Sequence, residues 1–217
     1  MPGPTRLIGG NLQAGFYGEV PTRDFITGDE LAAKIGLTAG ISQYSNEPWL
    51  KFSYLGKVEF ISKKSIRHSI SWTDLNTFNV VYGNKKIDID GNMYKIRLMK
   101  GKTEGKQNDR TQYRGVINQN SEWNKLMLPI HYNAPDRWQY SDNVNSPTEN
   151  WNIGYTDRDL LTHSDYGEGS YTWCQEYGDL YNTRVYRGNY GVSYSESQNS
   201  SSEYSGFGWR PVLELVE

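Results

Sequence analysis

The sequence is short of several things, and each shortage excludes something. Among 217 residues there are one cysteine, Cys174, and three histidines. One thiol cannot close a disulfide within the chain, so the fold must hold without covalent staples and can be made in a reducing cytoplasm. Nowhere do about 18 apolar residues run together, and no charged-then-apolar leader opens the chain. Neither a membrane span nor a secretion signal is therefore expected. Only 36% of residues are hydrophobic, and mean hydropathy is −0.76. Acids and bases nearly cancel, at a net charge of −2 and a pI near 6.0. The densest basic cluster, from Lys95 to Lys106, also carries an acid and glycines. Neutralising phosphates needs a concentrated basic face, so nucleic acid is not an expected partner.

What the chain has instead is 17 Tyr, 7 Trp and 22 Gly. Bulky amphipathic rings must supply much of the core, with glycine shaping many turns. That composition favours a loop-rich, β-dominated fold, and it is also that of recognition surfaces, where tyrosine gives contact area at low entropic cost. The length suits one domain with an appendage, or two small ones, and can bury a core unaided.

Read in order, residues 1–24 are rich in Gly and Pro with sparse apolar anchors (Leu7, Ile8, Phe16, Tyr17), and are expected to form an extended docking arm. Thr27-Gly28-Asp29-Glu30 is a capping box, Leu31, Ala32 and Ile35 follow at helical spacing, and Gly36 supplies a stop. Trp49 to Tyr54 and Lys57 to Ser62 read as a hairpin broken at Leu55-Gly56. Ser71 to Asp74 starts a second helix, with Leu75 and Phe78 on one face. Two alternating runs flank Asp90-Gly91, a dipeptide suited to a tight hairpin turn. The calcium-loop reading of Asp88-Ile89-Asp90-Gly91 fails on its downstream ligands. Lys100 to Gln119 reads as a mobile polar loop. A short helix is expected from Ser121 to Leu128, ending before Pro129, with Trp123, Leu126 and Met127 inward. Residues 131–170 are a long loop with one helical turn between Thr156 and Leu161, and loops of that length are usually functional. Ser170 to Tyr177 and Tyr181 to Gly188 read as paired strands. Val192 to Ser205 reads as an exposed loop or hairpin, and Phe207 to Val216 as a closing strand tucked into a sheet.

Four short motifs carry a resemblance. They are YKIRLxxG at Tyr94 to Gly101, SEWxxL at Ser121 to Leu126, WxQE at Trp173 to Glu176, and GWRPVLE near the end. In this order they resemble a C-terminal module of bacteriophage tail-fibre and virion proteins, over roughly residues 80–217. RVYRGNYG followed by GFGWRPVLEL is also similar to the ending of the formylglycine-generating-enzyme-like branch of C-type-lectin-like domains. The resemblance implies an α+β, β-rich C-type-lectin-like domain over 80–217 with long polar loops. Before it stand a small α+β lobe over 25–79 and the arm over 1–24. It also makes Arg187, Gly188, Phe207, Gly208, Trp209 and Arg210 fold residues, with Arg210 offering its planar charge to backbone carbonyls or a buried acid.

Chemistry is harder to find. Formylglycine-generating enzymes use a pair of cysteines and the related sulfoxide synthases a histidine triad on iron; this chain has Cys174 alone, and His68, His131 and His163 lie far apart. Cys174 sits in a strand-like run where a small buried thiol is the default. Asp157 and Asp159, or Asp165 and Glu168, read as solvated loop acids rather than a glycosidase dyad. Glu149-Asn150 and Trp151-Asn152 have the residue types of a lectin calcium loop but not its Glu-Pro-Asn and Trp-Asn-Asp triplets, so no metal or cofactor is expected.

The expected function is therefore non-enzymatic: a phage virion surface protein, either a tail-fibre or tail-tip receptor-binding adhesin or a capsid decoration or head-fibre protein. The competing readings are an enzyme acting on host cell-surface polymers and a cellular lectin-like ligand-binding domain. A ligand-binding surface is expected from Trp138, Tyr140, Trp151, Tyr155, Tyr166, Tyr190, Tyr194 and Tyr204. Expected partners are copies of the chain, as a trimer, other virion proteins through residues 1–24, and a host cell-surface glycan or protein.

Overall fold

The computed structural model describes residues 1–102, 120–132, 149–161, 167–178, 181–189 and 191–216. The expected polar loop between Lys100 and Gln119 lies largely outside them. Within them two sheets carry the chain. The first holds β1 (Gly9–Gly10), β2 (Ala14–Val20), β4 (Trp49–Tyr54), β5 (Lys57–Ser62), β7 (Tyr82–Ile89), β8 (Asn92–Arg97) and β13 (Val212–Leu215), in the order β1-β2-β4-β5-β13-β8-β7. The second holds β3 (Ile41–Ser42), β6 (Arg67–His68), β9 (Tyr171–Tyr177), β10 (Thr183–Gly188), β11 (Ser195–Asn199) and β12 (Phe207–Trp209), in the order β11-β10-β9-β12-β6-β3. Strand pairs are antiparallel apart from β12 on β9. Four short α-helices complete the described residues: α1 (Gly28–Ile35), α2 (Trp72–Thr77), α3 (Glu122–Ile130) and α4 (Asp157–Leu160). The fold is β-rich α+β.

Local chemistry explains most of these elements. Thr27 with Glu30, Ser71 with Asp74, and Thr156 with Asp159 form reciprocal capping boxes, which satisfy the first free N–H groups of α1, α2 and α4. Gly36 ends α1 in the left-handed region at φ 74°. Both expected hairpins form, and each turns on two consecutive left-handed residues, Leu55-Gly56 and Asp90-Gly91. That geometry matches the twist of the paired strands. One boundary differs: α3 runs through Pro129 to Ile130, and the chain becomes extended only at His131. In the last turn the proline ring costs at most one intrahelical bond, and burial of Leu128, Pro129 and Ile130 outweighs it.

The largest correction concerns residues 1–24. They do not stand off as an arm for a neighbour. β2 pairs along β4, with Phe16 and Val20 fully buried. Upstream, the buried Lys51 ammonium donates to the carbonyls of Pro2 (2.8 Å) and Pro4 (2.7 Å). Two well-placed anchors outweigh the Gly/Pro composition. The three-part division also dissolves, because β2, β4, β5, β7, β8 and β13 share one sheet.

The closing segment does more than tuck in. β12 lies between β9 and β6 in the second sheet; Arg210-Pro211 then carries the chain across, and β13 slots between β5 and β8 in the first. Trp173 stacks on Phe207 at 4.3 Å between ring centroids. Gly208 is required there, since a Cβ would sit 2.7 Å from the Gly169 carbonyl oxygen and from Ser65.

Beneath β13 lies a buried ionic cluster. Arg97 donates from Nε to Glu214 (3.0 Å) and from Nη1 to Glu122 (2.9 Å) and the Leu98 carbonyl (3.1 Å). Its Nη2 donates to Glu59 (2.5 Å) and Glu122 (2.8 Å). All five guanidinium N–H groups are thereby used. Glu214 also takes Lys57 and Lys95, each at 2.9 Å; despite partial burial, these hydrogen bonds and Arg97 hold its carboxyl down at about 2. Burial, with Glu122 and Glu214 adding to it, pushes Glu59 well above the usual carboxylate range.

Two outcomes follow from this packing. Arg97→Met leaves three carboxylates without their common donor, and removing one partner of a buried ionic network typically costs about 3–5 kcal/mol. The urea midpoint should fall accordingly; a midpoint within about 1 kcal/mol of the parent would refute the structural importance of the cluster. Deleting residues 1–24 strips two strands, β1 and β2, and the buried side chains of Phe16 and Val20, so that chain should lose its cooperative melt by circular dichroism. A shortened chain melting near the parent's temperature would restore the dispensable arm.

Candidate ligand-binding surface

Of the eight expected aromatic residues, Trp138, Tyr140, Tyr166 and Tyr190 lie outside the described residues. Three of the other four are occupied in holding the fold. Trp151 lies on β1 so closely that a Cβ at Gly9 would come within 2.5 Å of its side chain, and its indole donates to Glu149 (3.0 Å). The Tyr155 hydroxyl donates to Glu19 (2.7 Å), Lys63 pairs with the same carboxylate (2.8 Å), and the Lys63 ammonium sits 4.9 Å from the Tyr155 ring centroid. Burial first, then Glu19, push the Tyr155 phenol far above its ordinary range. Tyr194 donates its hydroxyl to Glu196 (2.5 Å), and its carbonyl accepts from Arg187 (3.0 Å). Tyr204 alone of the four is open, at 67% exposure.

The six expected fold residues are all buried. Arg187 spends its guanidinium on the Tyr194, Gly101 and Ser193 carbonyls and on Asn124 Oδ1. Gly188, at φ 95°, lies against the Ser170 carbonyl, where a Cβ would be 2.5 Å away. Arg210 donates to the Leu160 carbonyl, and burial without an acid lowers its pKa to about 9. Both guanidinium groups lie over the Trp123 ring, at 5.4 and 5.3 Å. Phe207 and Trp209 sit in the core that β12 closes.

The candidates for acid–base or nucleophilic chemistry are dispersed. Cys174 is wholly buried, and desolvation drives its thiol well above the usual range. Its sulfur lies where a Cβ on Gly101 would be, 2.5 Å away. His68 faces Glu168 at 3.4 Å and His131 faces Asp157 at 3.3 Å; Asp157 also takes the Val192 N–H, and Asp159 caps α4. His163 and Asp165 lie outside the described residues. The lectin-like calcium oxygens are used locally, Glu149 on the Trp151 indole and Asn150 on the Asn152 N–H. Among the described residues no group of three or more His, Cys, Asp or Glu is placed to hold a metal.

A different face is open. Tyr177 (64% exposed) ends β9, Tyr181 (93%) sits in the turn before β10, and Tyr82 (47%) starts β7. Arg184 lies between the rings of Tyr177 and Trp72, and Trp72 in turn meets Tyr82. A signal for this face exists in the sequence. In YGDLYN, between two strands, tyrosines occupy turn positions where no core is available.

No family model, curated protein or solved structure matches the chain.

One titration can be checked. Glu176 is half-buried and accepts from the Gly101 N–H at 3.0 Å; desolvation raises its carboxyl to about 7 against the opposing backbone donors. Its unfolded value is near 4.3, so the folded protein holds a proton that the unfolded chain releases. That stabilisation is complete below about pH 4.3 and is lost as pH rises to about 7. Glu176→Gln should flatten this part of the melting-temperature profile between pH 4.5 and 8, by a few kcal/mol at most. An unchanged slope would refute the assignment.

Proposed function

We propose that this chain is a non-enzymatic surface protein of a bacteriophage virion, with a C-type-lectin-like scaffold over residues 80–217 that binds a host cell-surface glycan or protein. The observation that carries the reading is the convergence of the four motifs. YKIRLxxG contributes Arg97, SEWxxL contributes Glu122, and GWRPVLE contributes Glu214, and these three side chains meet in one buried cluster. WxQE joins them through Gln175, whose Nε2 donates to the Leu98 carbonyl (2.7 Å), and through Glu176, which accepts from Gly101. Motifs that touch in this way behave as one structural unit, which favours a shared module over four chance matches.

A binding role is favoured over hydrolysis because the described nucleophile is buried and the described loop acids serve caps and turns. The open tyrosines give what a recognition surface needs, contact area with a polar tip. Assembly as a trimer, with attachment to other virion proteins, belongs to the same reading. Ile8, Leu12 and Leu55 are exposed, and Leu12 and Leu55 lie on chain segments joined by the Gly56 N–H to the Leu12 carbonyl (2.9 Å). These residues, rather than a free arm, are the proposed contact.

Two measurements test the proposal. An antibody to the chain should decorate intact virions in electron micrographs, on the tail if it is an adhesin and on the head if it is a decoration or head-fibre protein. The purified chain should also sediment with host cells and release no new reducing ends from their wall glycans. Absence of label from virions would sink the location, and new reducing ends would replace the binder with an enzyme.

A further inference from the structure

Arg184 is unlike the other buried arginines. Its guanidinium carbon lies 3.8 Å from the Tyr177 ring centroid and 4.1 Å from that of Trp72, so a planar cation is held between two aromatic faces. Among the described residues only Nη1 has an acceptor, the Thr183 carbonyl at 2.9 Å; Nε is buried with none, and no carboxylate pairs with the group. Arg97 has three acids and Arg187 four oxygen acceptors. Arg210 also has no acid among the described residues, but it is sealed at 0% exposure. Arg184, at 8% exposure, keeps a narrow edge beside solvent-facing rings.

Those rings complete the pattern. Tyr177 has Arg184 on one face, and with 64% of its surface exposed it turns the other face outward. Tyr181 stands almost free, and Tyr82 leans edge-on against Trp72 at 6.0 Å. Across the strand pair, Gln198 and Asn199 on β11 sit opposite Arg184 and Thr183, which makes the rim polar. A packing arginine needs none of these exposed rings. A pyranose offers a face of weakly positive C–H groups that suits the negative face of a tyrosine ring. A carboxylate on that sugar supplies the charge-assisted acceptor that the guanidinium lacks.

We propose that Arg184, Tyr177, Tyr181 and Tyr82 form a binding site for an acidic saccharide. The guanidinium edge between Tyr177 and Trp72 draws the sugar carboxylate, and the exposed tyrosines stack the rings on either side of it. The site rests on the reading of the chain as a surface-binding protein for its biological context, but not for its chemistry.

The test is calorimetric titration of the full chain with tetragalacturonate, with maltotetraose of equal length as the neutral arm, and with a glycerol-phosphate oligomer as the phosphodiester arm. Tetragalacturonate should bind at least about tenfold more tightly than maltotetraose, as expected for one charge-assisted contact, and the difference should shrink as salt rises. Tyr177→Ala and Tyr181→Ala should each weaken binding severalfold, Tyr181→Ala with the parent's melting temperature and Tyr177→Ala with a cooperative melt retained. Arg184→Gln should abolish the preference for the acid. Equal affinity for the neutral sugar, no binding at millimolar concentration, or tighter binding of the phosphodiester would overturn the acidic-saccharide site. So would full affinity in Tyr177→Ala. Host-cell sedimentation separates the two readings: cells bound equally by Tyr177→Ala and the parent discard this site alone, whereas tetragalacturonate bound without any cell binding discards the adhesin alone.

Discussion

Arg97 is the constraint on which the rest of the structure depends. A guanidinium this deep is tolerable only if every donor has an acceptor and the charge is met, and here four elements are needed to do it: β5 brings Glu59, α3 brings Glu122, β13 brings Glu214, and β8 brings Arg97 itself. None of these positions is free to drift. A lysine at 97 would offer a point charge to partners set in different directions, and could not span them. The surplus of negative charge is taken up by Glu59, where burial favours the protonated form. The cluster therefore specifies the order β5-β13-β8 as much as it stabilises it. Wrong neighbours would bury an unmatched charge.

How much of this was legible in the sequence depended on the range of the interaction. The capping box at Thr27, the helix start at Ser71, the helical turn after Thr156 and the Asp90-Gly91 turn are written within a few residues, and all appear where expected. The closing run from Phe207 advertised itself by its density of rings. The ionic core did not. Glu59 alternates with Val58 and Phe60 as a solvent-facing strand residue would, and its partner Arg97 is 38 positions away. Nothing local separates such an acid from a surface one.

The N-terminal run and the expected aromatic residues turn on contacts that are equally distant in sequence. In residues 1–24, glycine and proline dominate any window, and two buried side chains, Phe16 and Val20, decide the outcome. Trp151 and Tyr155 look like recognition residues because nothing nearby in sequence shows what they touch: Gly9-Gly10 for one and Glu19 for the other, well over 100 positions earlier. The tyrosines left outside, Tyr177 and Tyr181, sit where a strand ends and a turn begins. Position relative to the sheet, which composition does not record, separates the two kinds.

The place of β13 has a consequence for biosynthesis. Its backbone bonds on both sides, to β5 and to β8, lie in the middle of a seven-stranded sheet, so until residue 215 is free of the ribosome those two strands have no partner between them. Nor can Glu214 reach Arg97 before then. A nascent chain stalled short of that point leaves the edges of β5 and β8 open, and open edges invite association with other chains. Closure of the first sheet must wait for the emergence of β13.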